Sequence, residues 1–319
     1  MKQCRNKQQG IALITILVMV ALATILASTI ARKQLNTTEN TYYLVRQTQT
    51  LQYAKSAESF LIELLVDDAK NAGDVDHLQE TWAKPMPVFP VDGGTVSASL
   101  EDESGKFNLN SLVKEDGTVN EAAKKLFEQL LVRVDLPEKN SEAVIDWQDE
   151  DDTSIGSMGA ESSYYQGLQN GYLASNQPFF NIEELKKVRG FEGENFKKIE
   201  PYVSVNTNRE SKININTASA FLLASMDPNL DVASIQNILE VRKNNLEHFE
   251  DAASLWELSE FQNISDENKT LFVELLGVTS NAFKAKIEVE FDGKKRQFTS
   301  YIIREKESVY ITNRSLAPF

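Results

Sequence analysis

The sequence predicts an α+β fold. A long N-terminal helix packs on an antiparallel sheet, and a large all-α domain is inserted between strands of that sheet. Three observations predict it. A helical pattern without Gly or Pro runs from Ile11 to about Ala69. Period-two alternation marks Thr95–Glu103 and three segments after Ala282. Between these strands lie roughly 165 residues with three- and four-residue apolar spacing, out of 319 in the chain.

The helix begins in an uncharged run from Ile11 to Ala31, preceded by Lys2, Arg5 and Lys7 and followed by Arg32 and Lys33. At about 1.5 Å per residue the run spans about 30 Å, one bilayer core. The leading cations favour a cytoplasmic N-terminus and a domain outside the membrane. The run is longer than a secretory signal core, although "LASTIA" offers a cleavage-like site. Past the membrane, Leu44, Leu51, Ala54, Leu61 and Leu65 form one apolar stripe, so one helix is half in lipid and half amphipathic in water.

Pro85, Pro87, Pro90 and Gly93-Gly94 then mark a loop before the first strand. Helical segments follow, among them "NEAAKKLFEQLLVRV", "SEAVIDWQD", "NIEELKKVRG" and "DVASIQNILEVRKN", several opened by an Asn, Asp or Ser cap. Three alternating runs close the chain: Lys284–Phe291, Arg296–Arg304 and Ser308–Arg314. Asp292-Gly293 between two of them is a hairpin signal. The expected organisation is a leader at 1–10 and the helix with the first part of the sheet domain at 11–112. The inserted α-domain follows at 113–279, and 280–319 is a β-meander that completes the sheet domain.

The net charge of −14 opposes broad binding to a phosphate backbone. The one cysteine, Cys4, permits no intrachain disulfide. The richest chemistry is in "DWQDEDDTSIGSMGAESSYY", where Asp146, Asp149, Glu150, Asp151 and Asp152 precede Glu161. Ca²⁺ takes six to eight oxygens, so carboxylates clustered on a loop suit it. The spacing is not that of an EF-hand: no Gly stands sixth from Asp149, and Glu161 falls one residue late. Without His or Cys in the stretch, Zn²⁺ is a poor match. A solvated acidic loop is the plain alternative, but carboxylates so close repel unless neutralised. An enzyme reading rests on paired carboxylates or on His77 and His248, which lie in unrelated segments.

A basic leader, a glycine and then "IALIT" opening a long half-apolar helix resemble type IV prepilins and type II secretion pseudopilins. The resemblance implies cutting of the Gly10–Ile11 bond by prepilin peptidase and N-methylation of Ile11. Family members carry Glu at the fifth mature position, to pair with the amine of the preceding subunit. This chain has Thr15, as suits a tip subunit with no predecessor, and as suits equally a plain anchor. "KININTASAFLLASM" and part of "NIEELKKVRGF" resemble helix-hairpin-helix/SAM-like units. "DPNLDV" replaces the Gly-rich turn that would meet phosphate, so no nucleic acid is expected as partner.

The ordered set "FNLN", "IDWQDEDD", "GAESSYY", "NIEELKKVRGF" and "ININTA" resembles the general secretion pathway protein K family, the large minor pseudopilins of type II secretion systems. That resemblance implies a pilin-like fold with structural Ca²⁺ held by Asp149, Asp151, Asp152 and Glu161, with Asp146 capping or orienting instead. It implies a non-enzymatic subunit of the inner membrane, with a periplasmic domain, at a pseudopilus tip. Its expected partners are minor pseudopilins I and J, with H and the major pseudopilin G below. Left open beside it are a minor pilin of a type IV pilus and a membrane-anchored periplasmic DNA-binding or uptake protein.

Overall fold

The computed structural model describes residues 9–71 and 73–315; Lys2, Arg5 and Lys7 of the expected leader lie outside the described residues. In chain order, α1 (Gln9–Asn71) precedes β1 (Phe89–Val91), β2 (Gly94–Asp102) and β3 (Phe107–Asn108). Helices α2 (Glu121–Arg133), α3 (Asn140–Gln148), α4 (Ser162–Gln166) and α5 (Glu194–Ile199) lead to β4 (Val203–Ser204) and β5 (Ile213–Asn214). Then come α6 (Ala220–Ala224), α7 (Val232–Asn244), α8 (Asp266–Phe272) and β6 (Leu276–Gly277). The chain closes on β7 (Ala282–Phe291), β8 (Lys294–Glu305) and β9 (Ser308–Ser315).

The long helix forms as one element of 63 residues. Its most apolar window has a mean hydropathy of 2.7 and no buried residue. The hydroxyls of Thr15, Thr24 and Thr29 donate back to the carbonyls of Ala12, Val20 and Ile25, so they would need no water if this run lay in an apolar solvent. Burial starts only near Arg46 and Thr50. Of the expected stripe, Ala54, Leu61 and Leu65 are buried, whereas Leu44 and Leu51 are exposed. A straight helix drifts about 20° every seven residues, so the lower leucines have rotated off the face that meets the sheet. Leu61 and Leu65, Trp82, Ile287, Val289 and Phe298 form the sheet-domain core. Each such side chain contributes about 1.5–3 kcal/mol on burial.

The sheet is antiparallel in the order β1-β2-β7-β8-β9. Asp292 and Gly293 both have positive φ, 52° and 70°, as a tight hairpin between right-twisted strands requires. β1, at one edge, had no signal in the sequence beyond Pro90, a residue edge strands tolerate. The chain leaves the sheet at Asp102 and returns at Ala282, and Asp102 pairs with Phe283. That is the end of the sheet remote from Gly94 and Phe291, which pair at the end nearer the membrane run. The inserted domain therefore sits on the distal end. Its core takes in Phe107, Leu109 and Leu112, ahead of the expected boundary at 113, because β3 pairs in parallel with β4 inside the insertion.

The insertion is built twice from one plan. In the first unit Asn110 accepts from the Phe179 N–H and donates to the Phe179 carbonyl, at 2.8 and 3.0 Å. In the second, Asn216 does the same to Phe249 at 2.7 and 3.0 Å. Asn108 and Asn214 accept from the N–H of these two asparagines. Asn181 and Asp251 cap equivalent 3₁₀ turns with the same backbone angles, φ −142° and ψ 141°. β3 with β4, and β5 with β6, form matching parallel pairs. "FNLN" and "ININ" are thus buried structural staples. The connection from Asn110 to Phe179 spans 69 residues against 33 from Asn216 to Phe249, and the longer one carries the acidic loop.

Candidate metal centre and assembly helix

The acidic loop is held by the buried helix α3. Asp149 ends that helix, its N–H donating to the Ile145 carbonyl. The chain then loops out and returns so that Glu161 precedes α4. Two carboxylates shape the return. Glu142 accepts from the Met158 N–H at 2.6 Å, and Asp146 accepts from the Ile155 N–H at 3.1 Å. Arg189 donates to the Gly159 carbonyl at 3.2 Å and stacks over Tyr164. Trp147, buried and next to Asp146 in sequence, packs edge-on against Tyr165, 5.2 Å between centroids.

This architecture brings a carboxylate oxygen from each of Asp146, Asp149 and Glu161 within 4.8 Å of one another. All three residues are buried, at 0%, 9% and 2% exposure. Asp149 Oδ1 and both carboxylate oxygens of Glu161 are buried with no hydrogen-bond partner. Burial, then the charges of Asp146 and Asp151, pushes Asp149 up to about 7. Burial, then Asp146 and Asp149, pushes Glu161 up to about 7. Burial raises Asp146 to about 6, opposed by the Ile155 and Ala160 N–H groups. Orphaned oxygens of one charge sign, converging without a cationic side chain among the residues that perturb them, fit a hard divalent cation. A donor set of carboxylates without nitrogen or sulfur favours Ca²⁺ over Zn²⁺.

The structure brings Asp149 and Glu161 together, with Asp146 as the third member. Asp151 and Asp152 stay on the exposed rim, where Asp151 accepts from the Thr153 N–H at 2.6 Å. Both rim charges still help raise Glu161. Asp146 does orient the loop, and it also joins the cluster. Asp146 was expected only to cap or orient; its spacing from Asp149, three apart at a helix end, puts both on one face and is the local signal that could have found the pairing. Gly10 and Ile11 lie in the first turn of α1, and Thr15 follows on the exposed apolar helix. His77 and His248, distant in sequence, stack with ring centroids 4.0 Å apart where the insertion meets the sheet domain. His248 Nε2 lies 2.9 Å from Glu250.

Gly159 is a tight point of the loop, packed on backbone and on the cluster itself. A Cβ there would lie 2.3 Å from the Ile155 carbonyl oxygen and 2.5 Å from Asp146 Oδ2. Gly159→Ala should displace Asp146 and cost about 1–3 kcal/mol; a Ca²⁺ ion held at this cluster would then bind about tenfold more weakly or worse. Calorimetric titration of the full chain in detergent reads this; an unchanged affinity would separate the loop turn from the centre.

Two family profiles match the chain, both described as type II secretion system (T2SS), protein K. They cover residues 105–208 and 213–278, which coincide with the two units of the insertion. The chain is 34% identical over 250 residues to the type II secretion system protein K of Pseudomonas aeruginosa, covering 75% of this chain and 73% of that one. It is 33% identical over 229 residues to the protein of the same name from Aeromonas hydrophila, covering 68% and 69%. A putative type II secretion system protein K of Escherichia coli K12 is 27% identical over 98% of each chain. Among solved structures, a chain of the GspK-GspI-GspJ complex of the enterotoxigenic Escherichia coli type 2 secretion system has the same fold. Its TM-score is 0.77 at 24% identity, over 88% of this chain and 100% of that one.

Proposed function

The chain belongs to the type II secretion system protein K family, a minor pseudopilin, and from that premise we propose that it sits at the tip of the pseudopilus. There it initiates and caps the fibre that helps move folded proteins across the outer membrane. One observation carries this reading: the insertion occupies the end of the sheet farthest from the membrane run of α1. Subunits added from the membrane meet the free lower part of the helix. A subunit above would meet the insertion. Thr15 is consistent with the same place, since its hydroxyl is satisfied within the helix and leaves no carboxylate to be paired in lipid.

Exposed Tyr42, Tyr43, Leu44 and Val45 on α1 supply apolar surface for neighbouring helices. Minor pseudopilins I and J are the proposed neighbours, by likeness to the solved complex, with H and G beneath them. Prepilin peptidase cuts after Gly10, which leaves Ile11 as an N-methylated terminus that the mass of the mature chain would reveal. The helix spans the inner membrane with its N-terminus inside, and the rest is periplasmic. The role is structural, without catalysis. The acidic centre holds Ca²⁺ through Asp146, Asp149 and Glu161, with Asp151 and Asp152 adding charge at the rim. When bound, the ion neutralises the cluster and braces a loop that this chain, with only Cys4, does not cross-link by an internal disulfide.

Gold-labelled antibody against the insertion, applied to pseudopili sheared from secreting cells, should mark one end of each fibre. Label distributed along the length would overturn the tip assignment.

A further inference from the structure

At the lower end of the sheet, the face that packs on α1 changes character. Val289 and Phe298 are buried there. In register with Val289 and Phe291, however, β8 places Arg296 and Lys294. With Tyr43, Arg46 and Thr50 of α1, and with Lys295, these residues line a cavity of about 160 Å³ between helix and sheet. No carboxylate is among its lining residues. The ion pairs at this end belong to Lys295, held by Glu288 at 2.7 Å, and to Arg46, 3.9 Å from Asp292. Asp292 itself accepts from the Tyr42 hydroxyl at 2.5 Å. Lys294 and Arg296 are left facing the cavity without an ion pair among the described residues.

The position of this cluster decides what it can meet. The Tyr42–Asp292 bond is the lowest hydrogen bond between α1 and the sheet among the described residues. Tyr42 stands ten residues beyond Arg32, where the apolar run ends, or about 15 Å along the helix axis. The headgroup layer fills about 5–7 Å of that height. The cations therefore stand about 10 Å from headgroup phosphates, one Debye length at 0.1 M salt. A helix tilt of about 20° and the reach of a lysine shorten the gap. Exposed Tyr42 and Tyr43 are side chains that favour a membrane–water interface. Because the chain carries −14 overall, an anionic surface repels most of it and attracts this end.

We propose that this end of the domain docks on an anionic phospholipid surface, with Arg46, Lys294 and Arg296 at the cavity mouth facing the headgroup phosphates. The proposal rests on the reading of α1 as a membrane-spanning helix. The contact holds the unassembled subunit against the bilayer, so that leaving the membrane for a fibre breaks it.

The test uses the full chain with Cys4→Ser and a fluorophore on Asp92→Cys, at the neighbouring β1–β2 turn. The chain is reconstituted in phosphatidylcholine vesicles, with and without phosphatidylglycerol, containing an acceptor-labelled lipid. Energy transfer should rise about twofold with phosphatidylglycerol and fall back in high salt, where the Debye length is about 3 Å. The triple variant Arg46→Gln, Lys294→Gln, Arg296→Gln should show no rise; the lipid and salt comparisons on the otherwise native chain do not depend on its folding. Transfer indifferent to phosphatidylglycerol overturns the proposal. So does release by inorganic phosphate at matched ionic strength, which would assign the cavity to a free anion. Loss of binding to an acidic partner subunit in the triple variant, with no lipid dependence, would reassign it to assembly and overturn the proposal too. Alkaline carbonate extraction separates the premise: a chain washed from the vesicles refutes the membrane span, whereas a retained chain without lipid dependence refutes the docking alone.

Discussion

Arg304→Met lowers the unfolding free energy by about 3–5 kcal/mol, the expected cost of leaving buried charges without their partner. Arg304 is 9% exposed and reaches Asp68 at 2.8 Å as well as Asp76 and the Ser280 carbonyl. It also lies over the Phe283 ring. One guanidinium thus joins the end of α1, the loop after it and the start of β7. Asp68, Asp76 and Glu80 converge within 4.8 Å, so removing the cation leaves three acids together. The methionine replaces packing volume but no charge, so electrostatics decides the sign. Asp68 is already raised to about 6, by burial first and then by Glu80, against Arg304. A carboxyl raised above its unfolded value near 4 contributes stability below that value and loses it as pH rises through about 6. The deficit of the variant should therefore be larger at pH 8 than at pH 5. Urea unfolding of the full chain in detergent at both values measures it. Adding Asp68→Asn and Asp76→Asn should restore most of the loss. A deficit below about 1 kcal/mol at pH 8 would show that the cluster is solvated rather than buried.

Chelation of Ca²⁺ should lower the melting temperature by about 5–10 °C. A ligand at about a hundred times its dissociation constant stabilises by about 2.7 kcal/mol, and each kcal/mol moves a domain of this size by about 2–4 °C. The pH dependence follows from the same carboxylates. Without the cation, Asp149 and Glu161 are raised to about 7 and Asp146 to about 6, chiefly by burial. Their contribution is present below about pH 4 and is lost as pH rises through 6 to 7. The chelated protein should thus be less stable at pH 8 than at pH 5.5, and added Ca²⁺ should recover the difference at pH 8. Glu161→Gln separates charge relief from packing: it should stabilise the chelated protein and abolish the response to Ca²⁺. A melting curve unchanged by chelation would remove the centre from the account of stability.

Much of the fold was legible because it is written in local periodicity. The uninterrupted helical pattern is one helix, and Asp292-Gly293 is a hairpin turn. Asn120, Asn181 and Asp231 cap the segments they precede. The sites were legible in part. Of the four expected ligands, Asp149 and Glu161 join the buried cluster while Asp151 and Asp152 stay exposed, and the place of Asp146 depends on how the loop from Ile155 to Ala160 folds back on α3. The duplication was hidden because the spacing from Asn110 to Phe179 is about twice that from Asn216 to Phe249, so no fixed period repeats.

The sequence by itself did not mark the short strands β1 and β3–β6; it determined the long helix, the longer strands and their turns, that one run suits a bilayer, and that carboxylates crowd one loop. These follow from interactions between residues a few positions apart, whose geometry the backbone imposes. Only the tertiary structure decided which of those carboxylates are buried and orphaned, and that two distant histidines stack. It alone set the insertion on the far end of the sheet and left Arg46, Lys294 and Arg296 around one cavity at the near end. Those outcomes depend on contacts as distant in the chain as Arg304 with Asp68, 236 residues apart, and no local pattern encodes which long-range surfaces meet.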